Sequence, residues 1–164
     1  MQWLRRRQTK VESAAIQLTS DELTVERLTL SVLGIAHQCW RCQAWGTIIV
    51  GIGYSEMQHG VELASCDDEF VLEVAIRHLG PEVLAQHRIG EIKPRFSKTA
   101  GRAYLSNGCH HCDALFGNFL IYHEELVEIL DNERASALIE LASLELSTEF
   151  WNELFERSPF GAYW

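Results

Sequence analysis

Two cysteine pairs of identical spacing lie far apart in this 164-residue chain: Cys39 and Cys42 in HQCWRCQ, and Cys109 and Cys112 in NGCHHCD. A C-x-x-C turn aims two sulfurs at one point and leaves backbone N–H groups free to bond them. One such turn supplies half a tetrahedron. Two supply all of it, which is the donor set of a closed structural zinc site. If the pairs meet, the chain must bring its two knuckles together across everything between them. No other feature of the sequence restricts the fold as much.

Between Cys42 and Cys109 lie 66 residues, against a usual separation of about 15–20 between such pairs. The entropic cost of a longer loop rises only logarithmically, and the intervening chain carries signals of its own. The expected fold class is therefore α+β: a zinc-ribbon-like antiparallel β core, a helical insertion between the knuckles, and a C-terminal helical segment. The expected divisions are a basic arm at 1–10 and one zinc-binding domain at 11–164. Within that domain the ribbon halves fall at about 24–54 and 95–122, the insertion at about 55–94, and the C-terminal helices at about 123–157.

The local signals run as follows. TVERLTLSVLGIA (24–36) alternates in part and predicts a strand into the first knuckle. WGTIIVGIGY (45–54), rich in β-branched residues, predicts the strand out. Ser65 and Asp68 have the spacing of a capping box. Leu72, Ala75, Ile76 and Leu79 then share a helical face, which Gly80 and Pro81 end. Residues 81–88 predict a short helix begun by Pro81. RAYLSN (102–107) and LFGNFLIY (115–122) predict the strands around the second knuckle, with Asn107 and Gly108 as a tight turn. Leu126, Leu130, Ala137, Leu141 and Leu144 recur at helical intervals and predict one long acidic helix from His123. A second helix is expected at 148–156, carrying Phe150, Trp151, Leu154 and Phe155.

Four cysteines leave no open position on a metal, so catalysis is not expected. His123-Glu124-Glu125 follows its cysteine pair instead of preceding it, unlike the zinc deaminases. There is no P-loop, G-x-S-x-G or H-E-x-x-H, and GIGYSE lacks the third glycine of a dinucleotide fingerprint. His37, His110 and His111 flank or interrupt the knuckles, but four sulfurs already fill the site. His59, His78, His87 and His123 are scattered, and Cys66 has no paired neighbour. With no secretory signal and no apolar run of membrane-spanning length, the expected compartment is the reducing cytoplasm, where paired cysteines bind metal or do redox chemistry more often than they form disulfides.

FSKTAGRAYLSNGCHHCDALFGNFL (96–120), together with Cys39-Trp40-Arg41-Cys42, resembles a bacterial zinc-ribbon family of unknown function. Its pattern is a C-W-x-C knuckle and a later S-x-T-x-x-x-Y-x-x-N-x-C-x-x-C stretch, then a glycine and an aromatic. Here these are Ser97, Thr99, Tyr104, Asn107, Cys109, Cys112, Gly117 and Phe119. The resemblance implies a ribbon with an insertion and Cys39, Cys42, Cys109 and Cys112 as ligands. It implies no activity.

The expected partner is another protein, met by the acidic helix and the Phe150, Trp151 and Phe155 cluster. The alternative is a nucleic acid, held by Arg88, Lys93, Arg95, Lys98 and Arg102 with Trp45 or Tyr104 stacking on bases. A net charge of −9 opposes it. A second alternative is thiol redox chemistry or sensing at the same cysteine pairs.

Overall fold

The computed structural model describes residues 26–54, 60–131 and 135–163. The basic arm at 1–10 and His59 lie outside them. β1 (Arg27–Gln38) and β2 (Trp45–Gly53) form an antiparallel hairpin whose tip is the first knuckle. Leu30–Ile35 and Thr47–Ile52 are buried without interruption. Side chains alternate along a strand, so both faces of these two strands are covered. β3 (Gly60–Ser65) continues the sheet beyond β2, and two later strands complete it: β6 (Leu138–Ser147) beside β1, and β7 (Pro159–Tyr163) beside β3. The order is β6-β1-β2-β3-β7, antiparallel throughout.

α1 (Glu69–Arg77) follows β3. Its cap is Asp68 itself, whose Oδ1 accepts from the N–H groups of Phe70 (2.9 Å) and Val71 (3.2 Å). Ser65 is not the cap; its hydroxyl accepts from the Asp67 N–H one turn earlier. Val71, Leu72, Val74 and Ala75 are buried from this helix. Gly80 takes an extended conformation (φ −72°, ψ 160°) and caps α2 (Pro81–Gln86), so the left-handed stop expected there is not used.

Arg157 lies against Asp68 through two contacts of 3.1 and 3.2 Å. Burial opposes ionisation of that carboxyl, but Arg157 and the two capping N–H groups outweigh it and hold it below the usual carboxylate range. The sign follows: the contribution to stability is present above the unfolded value, about pH 4, and is lost as pH falls through the lower folded value. Asp68→Asn is therefore expected to be less stable than wild type in urea at pH 7, with the gap closing towards pH 3.

Two expected elements are replaced. Residues 115–122 do not form a strand. Only a single bridge, Gly108 to Leu115, leaves the second knuckle. The chain then turns helical through α3 (Asn118–Leu120), a π-helical turn (Ile121–Glu125) and α4 (Leu126–Asp131). Ile121, Tyr122, Leu126 and Leu130 are buried from this run. Nor is there one long helix from His123. After a 3₁₀ turn (Ala135–Ala137) the chain enters β6. The leucine spacing misleads because β6 carries a bulge. Val32 pairs with Ala142 and Leu33 with Glu140, which leaves Leu141 as the extra residue. Buried positions then fall at Leu141, Leu144 and Leu146, so one interval of three interrupts the period of two and imitates a helix.

α5 (Thr148–Arg157) forms as expected, capped by Ser147. Its aromatics are not a free surface. Trp151 is buried and meets Tyr54 edge-on, Phe150 meets Phe70, and Phe155 packs beside Trp151. A separate hairpin, β4 (Lys93–Ser97) with β5 (Arg102–Ser106), leads into the second knuckle.

Candidate metal centre

The two knuckles are copies of one structure. In each, the first cysteine's N–H bonds a carbonyl five residues on: Cys39 to Ala44 and Cys109 to Ala114, both at 2.9 Å. In each, the residue after the second cysteine bonds back to the first cysteine's carbonyl, Gln43 to Cys39 and Asp113 to Cys109, again at 2.9 Å. In each, a backbone N–H points at the first sulfur: Arg41 to Cys39 and His111 to Cys109, at 3.4 Å. Gln43 (φ 61°) and Asp113 (φ 58°) both hold left-handed backbone, a region that disfavours residues with a Cβ. Side chains anchor both. The Gln43 amide donates to the carbonyls of Cys39 and Trp40, and the Asp113 carboxylate accepts from Arg95.

The knuckles meet face to face. Cys39 Sγ lies 3.7 Å from Cys112 Sγ, and Cys42 Sγ lies 3.6 Å from Cys109 Sγ. All four sulfurs lie within 4.8 Å of one another. Metal–sulfur bonds of about 2.3 Å in a tetrahedron require edges of about 3.8 Å, so the donor set is positioned to hold one metal ion. Charge points the same way. Burial opposes ionisation of Cys39, but the N–H groups of Cys42 and Arg41 and the neighbouring thiols bring its pKa down to about 6. The N–H of Ala44 favours the Cys42 thiolate, yet burial and the three other sulfurs push it up to about 12. The first charge on the cluster resists the next, and a cation at the centre removes that resistance.

Comparison with protein-family models, curated proteins and solved structures gave no match. The zinc-ribbon resemblance thus reaches as far as the four-cysteine cluster, and no named family is assigned.

The second knuckle is docked by side chains whose role its sequence did not reveal. Asn107 is buried and binds Ile49 at both backbone groups: its Oδ1 accepts from the Ile49 N–H and its Nδ2 donates to the Ile49 carbonyl, each at 2.9 Å. It is not only a turn residue. It supplies the strand edge that β2 lacks at this position. The Tyr122 hydroxyl donates to the same carbonyl at 3.2 Å, and the Trp40 indole donates to Leu115 O at 3.0 Å.

Arg95 is buried beneath the knuckle. It donates to Ser106 O and Glu91 O, each at 2.8 Å, and pairs with Asp113. Arg95, with Lys93 beside it, holds the Asp113 carboxyl below its ordinary range. A Cβ on Gly108 would overlap the Arg95 guanidinium, and one on Gly90 would overlap the Gly108 carbonyl oxygen. Both positions need glycine for close approach.

The five basic residues of the nucleic-acid reading do not share one role. Arg95 is the buried clamp. Lys93 pairs with Glu91 (2.8 Å) and Asp113 (3.0 Å), and Arg102 pairs with Glu69 (3.1 Å). Arg88 and Lys98 are exposed and make no ion pair among the described residues. Of the proposed stacking residues, Trp45 is exposed but Tyr104 is buried.

His37 lies beside the centre without joining it. Its Nδ1 is 2.9 Å from both oxygens of Glu125, and its ring meets Phe116 edge-on. His110 and His111 are exposed, and Cys66 is buried away from the cluster, where desolvation pushes its thiol up. Ser97, Thr99, Tyr104, Gly117 and Phe119, all positions of the zinc-ribbon resemblance, line one cleft beside the second knuckle. No described helix is long and apolar enough to cross a membrane.

Proposed function

We propose that this chain is a non-catalytic protein organised by one structural Zn²⁺ on Cys39, Cys42, Cys109 and Cys112, and that it works by binding another protein. The observation that carries the zinc reading is the sulfur tetrahedron itself. All four corners are protein thiols, and soft sulfur donors in that geometry suit zinc. The ion would join the β1–β2 hairpin to the second knuckle and so contribute directly to folding.

The partner reading rests on Trp40 (65% exposed) and Trp45 (56% exposed), two large aromatics left in solvent beside the first knuckle. Tryptophan is enriched where proteins meet. The nucleic-acid reading is weaker, because Arg95 is buried and Lys93 is held by two carboxylates within the chain.

The deciding experiment is elemental analysis of the purified protein with thiol counting before and after chelation. About one zinc per chain, with four thiols becoming reactive together as the metal leaves, is the expected result. A metal-free, folded protein with reactive cysteines would sink the zinc reading and favour redox chemistry. For the partner, a Trp40→Ser, Trp45→Ser protein that keeps its metal should lose binding that the wild type shows.

A further inference from the structure

We propose that the cleft between the β4–β5 hairpin and the start of the helical run at Asn118 binds a small organic carboxylate with a flat apolar body. The cleft holds about 470 Å³, within the range of small-molecule sites. One wall is Tyr104, which is only 7% exposed. Its hydroxyl makes no hydrogen bond among the described residues, and it is not among the atoms sealed from solvent. The ring is buried while the hydroxyl reaches solvent at the cleft, where a ligand can take the place of water. Tyr104 keeps a donor for whatever enters.

Arg102 stands beside it, its guanidinium 5.4 Å from the Tyr104 ring centroid. Glu69 fixes its direction by accepting from Nη1 at 3.1 Å, while the other Glu69 oxygen accepts from the Leu105 N–H at 2.7 Å. Glu69 thus uses part of the guanidinium fork and leaves its remaining donors available. On a chain of net charge −9, Arg102 is the one cationic side chain that lines this cleft.

The opposite wall is apolar. Phe119 is 66% and Leu120 54% exposed, two large side chains at the mouth, the Phe119 ring stacking on His123 at 5.2 Å. Ala100 lines the hairpin side, and the Thr99 hydroxyl offers a further polar contact. A carboxylate has two oxygens, which a guanidinium edge and one phenol can engage together. A flat ring behind it would cover Phe119 and Leu120. This assignment does not depend on which ion the cysteines hold.

The test uses the protein as purified, with its metal. Phenylacetate, 2-naphthoate and the neutral 2-naphthamide are titrated by calorimetry. Saturable 1:1 binding of 2-naphthoate is expected, with affinity about tenfold weaker for 2-naphthamide, for Tyr104→Phe and for Arg102→Gln. Metal content and melting temperature of each variant serve as controls. If Arg102→Gln fails to fold, Tyr104→Phe, which keeps the ring, carries the test. Absence of saturable binding by both acids would overturn the proposal. So would equal binding by the amide, or undiminished affinity in the folded variants.

Discussion

Cys109→Ser is expected to release the metal and dissolve cooperative unfolding. Cys109 is 4% exposed, and its sulfur lies 3.6 Å from Cys42 Sγ. A hydroxyl is a poor substitute for a thiolate on a soft ion. Structural zinc contributes about 10–16 kcal/mol in small zinc-binding peptides, comparable with or larger than the about 5–15 kcal/mol that holds a whole domain folded.

The loss should be uneven. Pairing of β1 with β2 and β6 does not pass through the sulfurs. On the zinc reading, the second knuckle would depend on the metal as well as on Asn107 and a few hydrogen bonds. Far-ultraviolet circular dichroism should therefore retain strand signal, while near-ultraviolet signal and metal content fall together. Cys66→Ala is the control. It removes a buried sulfur at a cost of about 1 kcal/mol but should leave the ion in place. A Cys109→Ser protein that keeps one ion per chain and a sharp unfolding transition would refute the assignment.

Asn107→Ala is expected to lower stability by about 2–4 kcal/mol in urea titration, because it strips both backbone groups of Ile49 of their buried partner. The Ile49 carbonyl keeps only the Tyr122 hydroxyl at 3.2 Å, and the N–H loses its side-chain acceptor. Asn107→Asp should recover little. It keeps an acceptor for the Ile49 N–H but turns a carboxylate oxygen towards the carbonyl that Nδ2 now serves. If Asn107 were only a turn residue, aspartate would replace it within a few tenths of a kcal/mol. Near-wild-type stability of Asn107→Asp would show that the contact to Ile49 contributes little.

The two substitutions separate two ways of holding one knuckle. On the zinc reading, the ion would fix where the sulfurs sit. The amide fixes how the loop lies on β2. The second should therefore weaken metal binding only through the fold, so Asn107→Ala is expected to purify with its metal. Release on chelation should be faster than from wild type.

By itself, the sequence determined the chemistry of the centre and most local structure. Spacing of the cysteines identifies the donors and shapes each knuckle, because a C-x-x-C turn builds its own hydrogen bonds, but that the two knuckles meet was decided by the fold. The β1–β2 hairpin, α1, α2, β5 and α5 are legible for the same reason: their signals are carried by neighbouring residues. Tertiary structure decided the rest. Residues 115–122 have strand-forming side chains, yet they join neither of the two described sheets. Ile121 and Tyr122 are buried from a helical turn instead, while Phe119 and Leu120 stay exposed. Leu138–Ser147 looked helical until β1 offered an edge, and the bulge at Leu141 hid its period. Arg95 looked like a phosphate contact because a sequence shows charge without depth. Only the fold places it under the second knuckle, where burial and three acceptors in reach make it a clamp.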